Sequence, residues 1–477
     1  MMYHDYAEMT YSGSYEEAVS FINSIPRFIE QADPSSVKRG LLNRVGKGSV
    51  PVNTDPAKNS FASTATFYGF LKEKGVIPET TCKVFHVAGT NGKGSVCAFL
   101  RSMHMEMGRR VGVFTSPHLT DIRERITIND EMISEEDFYD AYMTVASCLK
   151  EFRNHGIFAS YRPVYFDWLF FIAAVYFGQM MPDAVIWETG LGGKYDATNV
   201  LTGRTVCVIT EIGLDHMSIL GDTKEKIAVQ KAGIICPGVP VVTVKRDEGA
   251  FGVIEAEAKA NNAPLVVIPN ADQIEKKMTD KGIDFSYKSH YYNNATLATV
   301  GHAVYQVENA TLAAAAMEEV YSIEELPFEC IYNGIKNMHH PGRMEEIEPN
   351  VILDGAHNED GIAALTDSMR VDGCKGARHL IFSAASDKKA EEELRMLAKS
   401  GLADRICIVP LQGERGRSED DLKTLADAAD SAGVRCELRD DLKEAFEEYR
   451  SALGEDDRLY VCGSLYLIGE LKAYLRG

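Results

Sequence analysis

The chain has 477 residues, of which 45% are hydrophobic and 25% are charged, a composition typical of a folded globular protein. Its length predicts two or three domains. A net charge of −20 argues against a protein that coats nucleic acid, although a local basic site can still bind a small anion.

The sequence carries no sign of targeting to a membrane or to an oxidising compartment. We find no basic segment followed by an apolar run near the first residue, and no run of about 18 apolar residues that would indicate a membrane span. The ten cysteines are scattered, without the spacing of a zinc site. We therefore expect reduced thiols, a cytoplasmic location, and neither a membrane nor a nucleic-acid partner.

The first part of the chain, residues 1–80, is predicted to be a helical lead-in to the following domain. Residues 15–29 carry apolar side chains at helical spacing, with Pro26 as a break in the tract. Residues 45–58 are rich in Gly, Pro, Asn and Lys, which predicts a loop.

From residue 83 onwards, strand-like and helical patterns alternate, which predicts a mostly parallel, doubly wound sheet within a central domain over residues 81–338. Residues 272–307 interrupt this alternation, and their polar, Tyr- and Asn-rich sequence predicts a hairpin excursion. The predicted strands of the central domain are 84–88, 111–115, 184–188, 206–210, 240–244 and 265–268.

A second, smaller domain is predicted over residues 345–477. Residues 337–343 contain two histidines, a proline and a glycine, and we place the linker at 339–344. After it a strand-then-helix pattern recurs five times, which predicts a Rossmann-like α/β domain. Its predicted strands are 351–353, 379–382, 405–409, 436–438 and 459–462.

The segment FHVAGTNGKGS, residues 85–95, combines a short apolar strand, a glycine-rich turn and a helix that is predicted to start near Ser95. Backbone N–H groups in such a turn, with those of the helix start, form a cradle for phosphate oxygens. Lys93 can place its ammonium group in this cradle, and the hydroxyls of Thr90 and Ser95 can add polar contacts. The segment therefore predicts a nucleoside triphosphate site.

The spacing of this loop departs from the common phosphate-binding pattern. Only Thr90 and Asn91 separate the two glycines of the turn, and Gly94 follows Lys93, whereas the common loop has four intervening residues and Ser or Thr after the lysine. A simple turn with a solvated Lys93 is the alternative. The order of strand, glycines, lysine and helix favours the phosphate site.

Three further polar motifs follow predicted strands: TSPHL at 115–119, ETGLGG at 188–193 and GLDH at 213–216. The carboxyl ends of parallel strands share one edge of a sheet, where ligands bind. Hydroxyl and carboxylate oxygens, with histidine in addition, suit Mg²⁺ that bridges phosphates. Taken singly, Glu188 could be an ion-pair partner and His216 a surface histidine, but their common position favours a metal site.

The residues alone leave the roles of four other candidates open. A helix lysine is usually solvated, and for Lys231 that interpretation is favoured. Arg343 could clamp a phosphate or form an interdomain salt bridge. Asp354 and His357 follow the first strand of the C-terminal domain, at the edge where ligands bind in open α/β sheets.

Eight motifs occur in a characteristic order: HVAGTNGKGS, TSPHL, ETGLGGKYDATN, GLDH, KAGI, HPGR, DGAHN and GSLYLIG. Together they resemble the folylpolyglutamate synthase and dihydrofolate synthase family, within the ATP-dependent Mur ligase superfamily. The resemblance covers residues 15–475, nearly the whole chain. Glycine after Lys93 is typical of the folate branch, whereas the wall-building Mur ligases typically have threonine there.

The resemblance implies an ATP- and Mg²⁺-dependent ligase that joins L-glutamate to a folate or dihydropteroate carboxylate through an acyl phosphate. It leaves open folylpolyglutamate synthase, dihydrofolate synthase or both. A Mur-type ligase for another acid and a catalytically silent nucleotide-binding paralogue are the alternatives. We expect only small-molecule substrates, with ATP among them, and a monomeric protein.

The resemblance also implies the roles of individual residues. Ser116 and Glu188 would hold one Mg²⁺, and His216 with a carbamylated Lys231 a second. The nucleotide would be bound by Gly89, Thr90, Asn91, Gly92, Lys93, Gly94 and Ser95. Further contacts to ATP or to the reacting centre would come from Asn309, Arg343, Asp354 and His357. The catalytic set would be Lys93, His216, Lys231 and Arg343.

Five positions depart from the family pattern and leave the pterin and glutamate contacts open. The replacement of arginine by Lys194 is not neutral where a bidentate contact is needed. The other replacements are Asp167 for glutamate, Cys236 for lysine, Tyr305 for histidine and His340 for tryptophan.

Overall fold

The computed structural model describes residues 13–27, 56–79, 81–154, 158–386, 389–412 and 416–476. In this part of the chain, helices α1 to α15 span, in order, Tyr15–Ser24, Pro56–Glu73, Lys93–Glu106, Glu135–Arg153, Tyr165–Met180, Met217–Leu220, Lys224–Ala232, Glu248–Ala260, Tyr305–Glu318, Phe328–Lys336, Glu359–Val371, Ala390–Lys399, Glu419–Ser431, Leu442–Ala452 and Leu465–Arg476. Among these helices, none combines the length and the apolar character that a membrane crossing needs.

Strands β1 to β17 span, in order, Lys83–Ala88, Val111–Phe114, Ile126–Ile128, Glu131–Met132, Ala184–Glu188, Val206–Ile209, Val241–Val244, Leu265–Ile268, Lys276–Thr279, Gly282–Ser289, Asn293–Val300, Glu345–Glu348, Val351–Asp354, Arg378–Phe382, Arg405–Ile408, Arg435–Leu438 and Arg458–Cys462. Helices separate most of the strands, as the sequence predicts. The described residues therefore form the predicted α/β fold with mostly parallel sheets.

The chain divides into two compact units, each built from separate stretches of sequence. The first comprises Met1–His86, Arg109–His118 and Ile122–Thr205, and the second comprises Val87–Gly108, Leu119–Asp121 and Val206–Gly477. The predicted domain boundaries at residues 80, 338 and 344 stay predictions.

In the first unit the strands lie in the order β4-β3-β2-β5-β1. The boundary between the units falls within β1, so only the beginning of that strand belongs to the first unit. Strand β2 pairs parallel with β5 and antiparallel with β3. Helix α5 is buried along almost its whole length, with Trp168 and Phe171 fully inside the core. A helix that is apolar on all sides is stable only when it is covered on all sides.

In the second unit the end of β1 is continued across the sheet by β6, β7 and β8, in that order. Strand β7 pairs parallel with both of its neighbours. Strands β6 and β7 are apolar and fully buried, as expected for parallel strands covered on both faces. Strands β9 to β11 form an antiparallel sheet, with Gly282 of β10 opposite Val300 of β11. The predicted hairpin excursion is thereby confirmed.

The C-terminal sheet of the second unit has the order β12-β13-β17-β14-β15-β16. Its strands are parallel except β12, which pairs antiparallel with β13. The five predicted strands of this region are confirmed. Strand β12 was not predicted, because its sequence EEIE lacks the β-branched and aromatic residues typical of strands, and it lies at the sheet edge, where charge is favourable.

Three predicted boundaries can be compared with the structure, and one of them agrees. Helix α3 begins at Lys93 rather than near Ser95. Helix α1 ends at Ser24, before Pro26 as predicted. Of the loop predicted at 45–58, residues 56–58 belong to α2, so the prediction is wrong there, and the remainder lies outside the described residues.

A buried carboxylate joins the end of α9 to the end of β10. Glu318 Oε2 accepts hydrogen bonds from the Tyr287 hydroxyl at 2.9 Å and from the backbone N–H of His290 at 2.8 Å. Its Oε1 accepts from Ser289 Oγ at 2.5 Å. Glu318 is only 6% exposed, so removing it would leave two buried hydroxyl donors and one partly buried N–H without their acceptor.

We expect Glu318→Ala to lower the free energy of unfolding by about 3 kcal/mol, because several buried donors lose a charged acceptor. The matched control is Glu319→Ala, which changes the adjacent, partly buried residue and should cost less than about 1 kcal/mol. Urea unfolding followed by circular dichroism measures both. Equal losses in the two variants would contradict the structural role of the Glu318 carboxylate.

Candidate active site

The turn between β1 and α3 is too tightly packed to hold side chains at its two glycines. Gly89 and Gly92 have φ angles of +150° and +86°. A Cβ atom on Gly89 would overlap Thr210 Oγ1, and one on Gly92 would overlap Asn309 Oδ1. Glycine is favoured at both positions, because its lack of a Cβ lets the side chains of Thr210 and Asn309 approach the backbone of the turn this closely.

The beginning of α3 has the form of an anion site. Gly92 precedes the helix and supplies no side-chain cap to its first N–H groups. These N–H groups and the positive end of the helix dipole favour a phosphate in the turn. Lys93 Nζ donates to the carbonyl oxygen of Thr90 at 3.2 Å, which places the ammonium group over the same turn.

The segment that follows β6 holds this turn through hydrogen bonds. Thr210 Oγ1 donates to the carbonyl oxygen of Asn91 at 2.6 Å, and the N–H of Thr90 donates to the carbonyl oxygen of Glu211 at 2.8 Å. Thr90 Oγ1 donates to Gly213 O at 3.1 Å and accepts from Gly213 N at 3.0 Å. The Thr90 hydroxyl thus forms its hydrogen bonds with the backbone of Gly213.

Lys231 lies against the turn at residues 89–92, which we call the phosphate loop. It is 4% exposed, and its Nζ donates to the carbonyl oxygen of Gly89 at 2.5 Å. The interpretation of Lys231 as a solvated surface residue is therefore wrong. The reason is that α7 buries the face that carries Ile227, Ala228 and Lys231, and the sequence alone does not show which face is covered.

Asp215 lies between two of the predicted histidines. Its Oδ2 is 3.9 Å from His216 Nε2 and 3.8 Å from His357 Nε2. His357 Nδ1 lies 2.7 Å from the carbonyl oxygen of Gly355, which can only accept, so this nitrogen carries a proton. The sequence analysis quoted Asp215 within GLDH but did not assign it a role.

The segment after β13 also reaches the phosphate loop. Asn358 Nδ2 donates to Asn91 Oδ1 at 3.0 Å, and Asn358 Oδ1 accepts from the N–H of Gly361 to cap α11. A Cβ on Gly213 would overlap the carboxylate of Asp360. Asn358 was not predicted as a site residue, although an asparagine just before a helix is a recognisable capping signal.

The carboxylate of Asp354 is surrounded by donors. Its Oδ1 accepts from the N–H of Ala356 at 2.8 Å, and its Oδ2 accepts from the N–H of Met344 at 3.0 Å and from the Tyr305 hydroxyl at 2.6 Å. Burial raises the pKa of Asp354, and the Arg343 guanidinium opposes this rise. The structure thus places the predicted Arg343 and Asp354 together.

Helix α9 brings two more side chains to the loop. Asn309, at Gly92, donates from Nδ2 to Gln306 Oε1 at 3.0 Å. Gln306 Nε2 in turn donates to Ser95 Oγ at 3.2 Å. Asn309 was predicted from the resemblance, whereas Gln306 was not assigned.

In the first unit, Ser116 and Glu188 lie together at the ends of the parallel neighbours β2 and β5. The N–H of Ser116 donates to Glu188 Oε2 at 3.1 Å, and Glu188 is 2% exposed. A serine hydroxyl and one carboxylate are hard oxygen donors that fit Mg²⁺, which usually completes its shell with waters and substrate phosphates. Among the described residues, no group of three or more His, Cys, Asp or Glu side chains is arranged to hold a metal ion.

A buried aspartate shapes the glycine-rich loop that follows Glu188. Asp196 Oδ2 accepts from the N–H groups of Gly190 and Leu191, each at 2.9 Å, and its Oδ1 accepts from Thr198 Oγ1 at 2.5 Å. Burial raises the pKa of Asp196, and these hydrogen bonds oppose the rise. The loop is therefore held in one conformation from within its own sequence.

The C-terminal part of the chain, residues 342–465, matches the Mur ligase glutamate ligase domain. The chain is 34% identical over 407 residues to the dihydrofolate synthase/folylpolyglutamate synthase of Bacillus subtilis (strain 168), which covers 84% of this chain and 92% of that relative. The chain belongs to the dihydrofolate synthase/folylpolyglutamate synthase family. The family predicted from the motifs, the Mur ligase-like fold and the ligase class are confirmed.

Solved structures with the same fold support this assignment. E. coli FolC in complex with ADP has a TM-score of 0.74 and 26% identity, covering 93% of this chain and 98% of that one. The apo form of L. casei FPGS has a TM-score of 0.77 and 25% identity, covering 97% and 100%. A bifunctional folylpolyglutamate synthase/dihydrofolate synthase with bound Mn, AMPPNP and L-glutamate has a TM-score of 0.73 and 27% identity, covering 87% and 94%.

We expect Gly92→Ala to destabilise the protein by about 1 to 3 kcal/mol more than Gly108→Ala. Both glycines have positive φ, +86° and +68°, so both variants carry similar backbone strain. Only the Cβ at position 92 meets another group, the side-chain oxygen of Asn309, and overpacking costs about this much. Urea midpoints measure the difference, and equal midpoints would show that the turn can relax.

Proposed function

We propose that the protein is an ATP-dependent ligase that joins L-glutamate to a folate-type carboxylate. The observation that carries the proposal is the tight glycine turn at the start of α3, with the buried Lys231 against it, in a chain 34% identical to a dihydrofolate synthase/folylpolyglutamate synthase over most of its length. We propose that it acts as a cytoplasmic monomer, as the sequence predicts.

The chemistry follows from the need to activate a carboxylate, which is a poor electrophile. Transfer of the γ-phosphoryl group of ATP to the carboxylate gives an acyl phosphate and ADP. The amino group of L-glutamate then attacks the acyl carbon, phosphate leaves, and the amide forms with loss of a proton. The N–H groups at the start of α3 and the ammonium group of Lys93 would bind the phosphates and stabilise the developing charge; one such contact is worth about 3 kcal/mol of barrier.

We propose that Ser116 and Glu188 hold one Mg²⁺ and that His216 and Lys231 hold a second. Bound Mg²⁺ neutralises phosphate charge and orients the transferred group. Lys231 can serve as a ligand only as its carbamate, which replaces the ammonium cation by an anionic oxygen donor. The burial of this side chain beside Gly89 supports a role in the site.

The remaining predicted residues would contact the nucleotide or the reacting carboxylate. Arg343 would supply a fixed positive charge, and Asn309 and His357 would supply hydrogen bonds from positions close to the phosphate loop. Asp354 would act mainly by fixing the segment that carries Arg343, because its oxygens already accept from Ala356, Met344 and Tyr305.

The acceptor of the proposed reaction is dihydropteroate, tetrahydrofolate or both. One position that departs from the family pattern, Asp167, is buried, and its Oδ2 accepts from the N–H of Val164 at 3.1 Å. Burial raises the pKa of Asp167 to about 7. Asp167 thus acts as a buried cap at the start of α5.

The acceptor is identified by measuring ADP release with ATP, Mg²⁺ and L-glutamate in parallel reactions with dihydropteroate and tetrahydrofolate. We expect release with at least one of them. Lys93→Ala should lower kcat by about 100-fold or more, because a preorganised charge at the transferring phosphate is lost. Release with neither acceptor in the wild-type protein would sink the proposal, and a fully active Lys93→Ala would overturn the role of that residue.

For Lys231 we expect Lys231→Ala to be inactive and to regain activity when short carboxylates such as acetate are added, since these can replace the carbamate oxygens. The matched control is Lys226→Ala on the same helix, whose exposed ammonium pairs with Asp222 at 2.7 Å and which should keep full activity. Full activity of Lys231→Ala without added carboxylate would defeat the ligand assignment.

A further inference from the structure

A series of hydrogen bonds runs from the phosphate loop to His340, the residue before Pro341. Asn309 Nδ2 donates to Gln306 Oε1 at 3.0 Å, and Gln306 Nε2 donates to Ser95 Oγ at 3.2 Å. Ser95 Oγ lies 3.1 Å from His340 Nδ1. All these residues belong to the second unit, and the proposed reaction assigns no role to Gln306 or His340.

The last hydrogen bond of this series joins two neutral groups. Burial, reinforced by the positive charges of Arg343 and Arg101, holds the pKa of His340 well below its usual range. Its ring is therefore neutral and can accept at Nδ1. The Ser95 hydroxyl, which accepts from Gln306 Nε2, is engaged on its other side by His340 Nδ1, and the tautomer of the ring sets which of the two donates.

The two ends of this hydrogen-bond series lie at the glycine turn and beside Arg343. At one end Asn309 occupies the space that a side chain on Gly92 would need. At the other end His340 directly precedes Pro341-Gly342-Arg343. A second connection runs beside the first, because the hydroxyl of Tyr305, next to Gln306 in α9, donates to Asp354.

We propose that Ser95 and His340 are positioning residues that fix the start of α3 relative to Arg343, so that a nucleotide meets both in one arrangement. Ser95 acts through His340, because its hydroxyl is held between Gln306 Nε2 and His340 Nδ1. This proposal rests on the proposed function and deepens it. It also accounts for His340, which stands where the family pattern has tryptophan.

The test compares variants of the full-length protein by calorimetric titration with AMPPNP and Mg²⁺. His340→Phe removes the hydrogen-bonding nitrogen at similar size, and Ser95→Ala removes the hydroxyl. Each should raise the dissociation constant about threefold to tenfold, the net worth of one hydrogen bond. The double variant should be no weaker than either single one, because both remove the same interaction.

Two further variants separate positioning from packing. His340→Asn keeps an acceptor near the place of Nδ1 and should restore most of the affinity. His339→Phe changes the neighbouring histidine, whose side chain is 68% exposed, and should bind AMPPNP like the wild type. Additive losses in the double variant, a His340→Asn protein as weak as His340→Phe, or unchanged binding in both single variants would each overturn the proposal. If His340→Phe does not fold, Ser95→Ala and His340→Asn still decide it.

The binding experiment uses neither L-glutamate nor an acceptor, so its failure is distinct from failure of the proposed ligase activity. Weakened AMPPNP binding in the variants, together with no ADP release by the wild type, would overturn the reaction and keep the positioning role. Normal ADP release with unaffected AMPPNP binding in the variants would do the reverse.

Discussion

The rest of the site depends on the close approach of backbone and side chain at the turn between β1 and α3. Gly89 meets Thr210 and Gly92 meets Asn309 with no room for a Cβ atom, so the position of the turn is set by β6 and α9 together. Hydrogen bonds from Thr210 and Asn358 to Asn91 then fix it further. A phosphate-binding turn held in this way needs no reorganisation when an anion arrives, which is the condition for strong electrostatic stabilisation.

Two charged side chains of the predicted metal sites, one in each unit, are buried, and burial of a charge has a cost. Lysine is almost never fully buried in proteins, yet Lys231 is buried against Gly89. Glu188 is buried in the first unit, with one oxygen bonded to the N–H of Ser116. Such groups lower stability unless they are paired. Both side chains have partners within the protein: Lys231 Nζ donates to the carbonyl oxygen of Gly89, and Glu188 Oε2 accepts from the N–H of Ser116.

Much of the fold could be predicted from the sequence, because buried parallel strands are short apolar runs bounded by turns, and most predicted strands coincide with observed ones. The strand β12 and the buried face of α7 could not, because the first is acidic and the second depends on what packs against it. The candidate site could likewise be predicted only in part. The glycines and Lys93 follow a local pattern, whereas the partner of the Thr90 hydroxyl, Gly213, lies 123 residues away and leaves no local signal.

The departure at position 340 changes what Ser95 can do. Tryptophan, the residue of the family pattern, has an N–H donor and no acceptor. A neutral histidine can either donate or accept at Nδ1, depending on its tautomer. His340, whose pKa burial holds low, lies with Nδ1 3.1 Å from Ser95 Oγ, so in either tautomer the serine hydroxyl has a partner within the protein. For the proposed phosphate site, this leaves the N–H groups at the start of α3 and the ammonium group of Lys93 as the groups of the turn that would bind the anion.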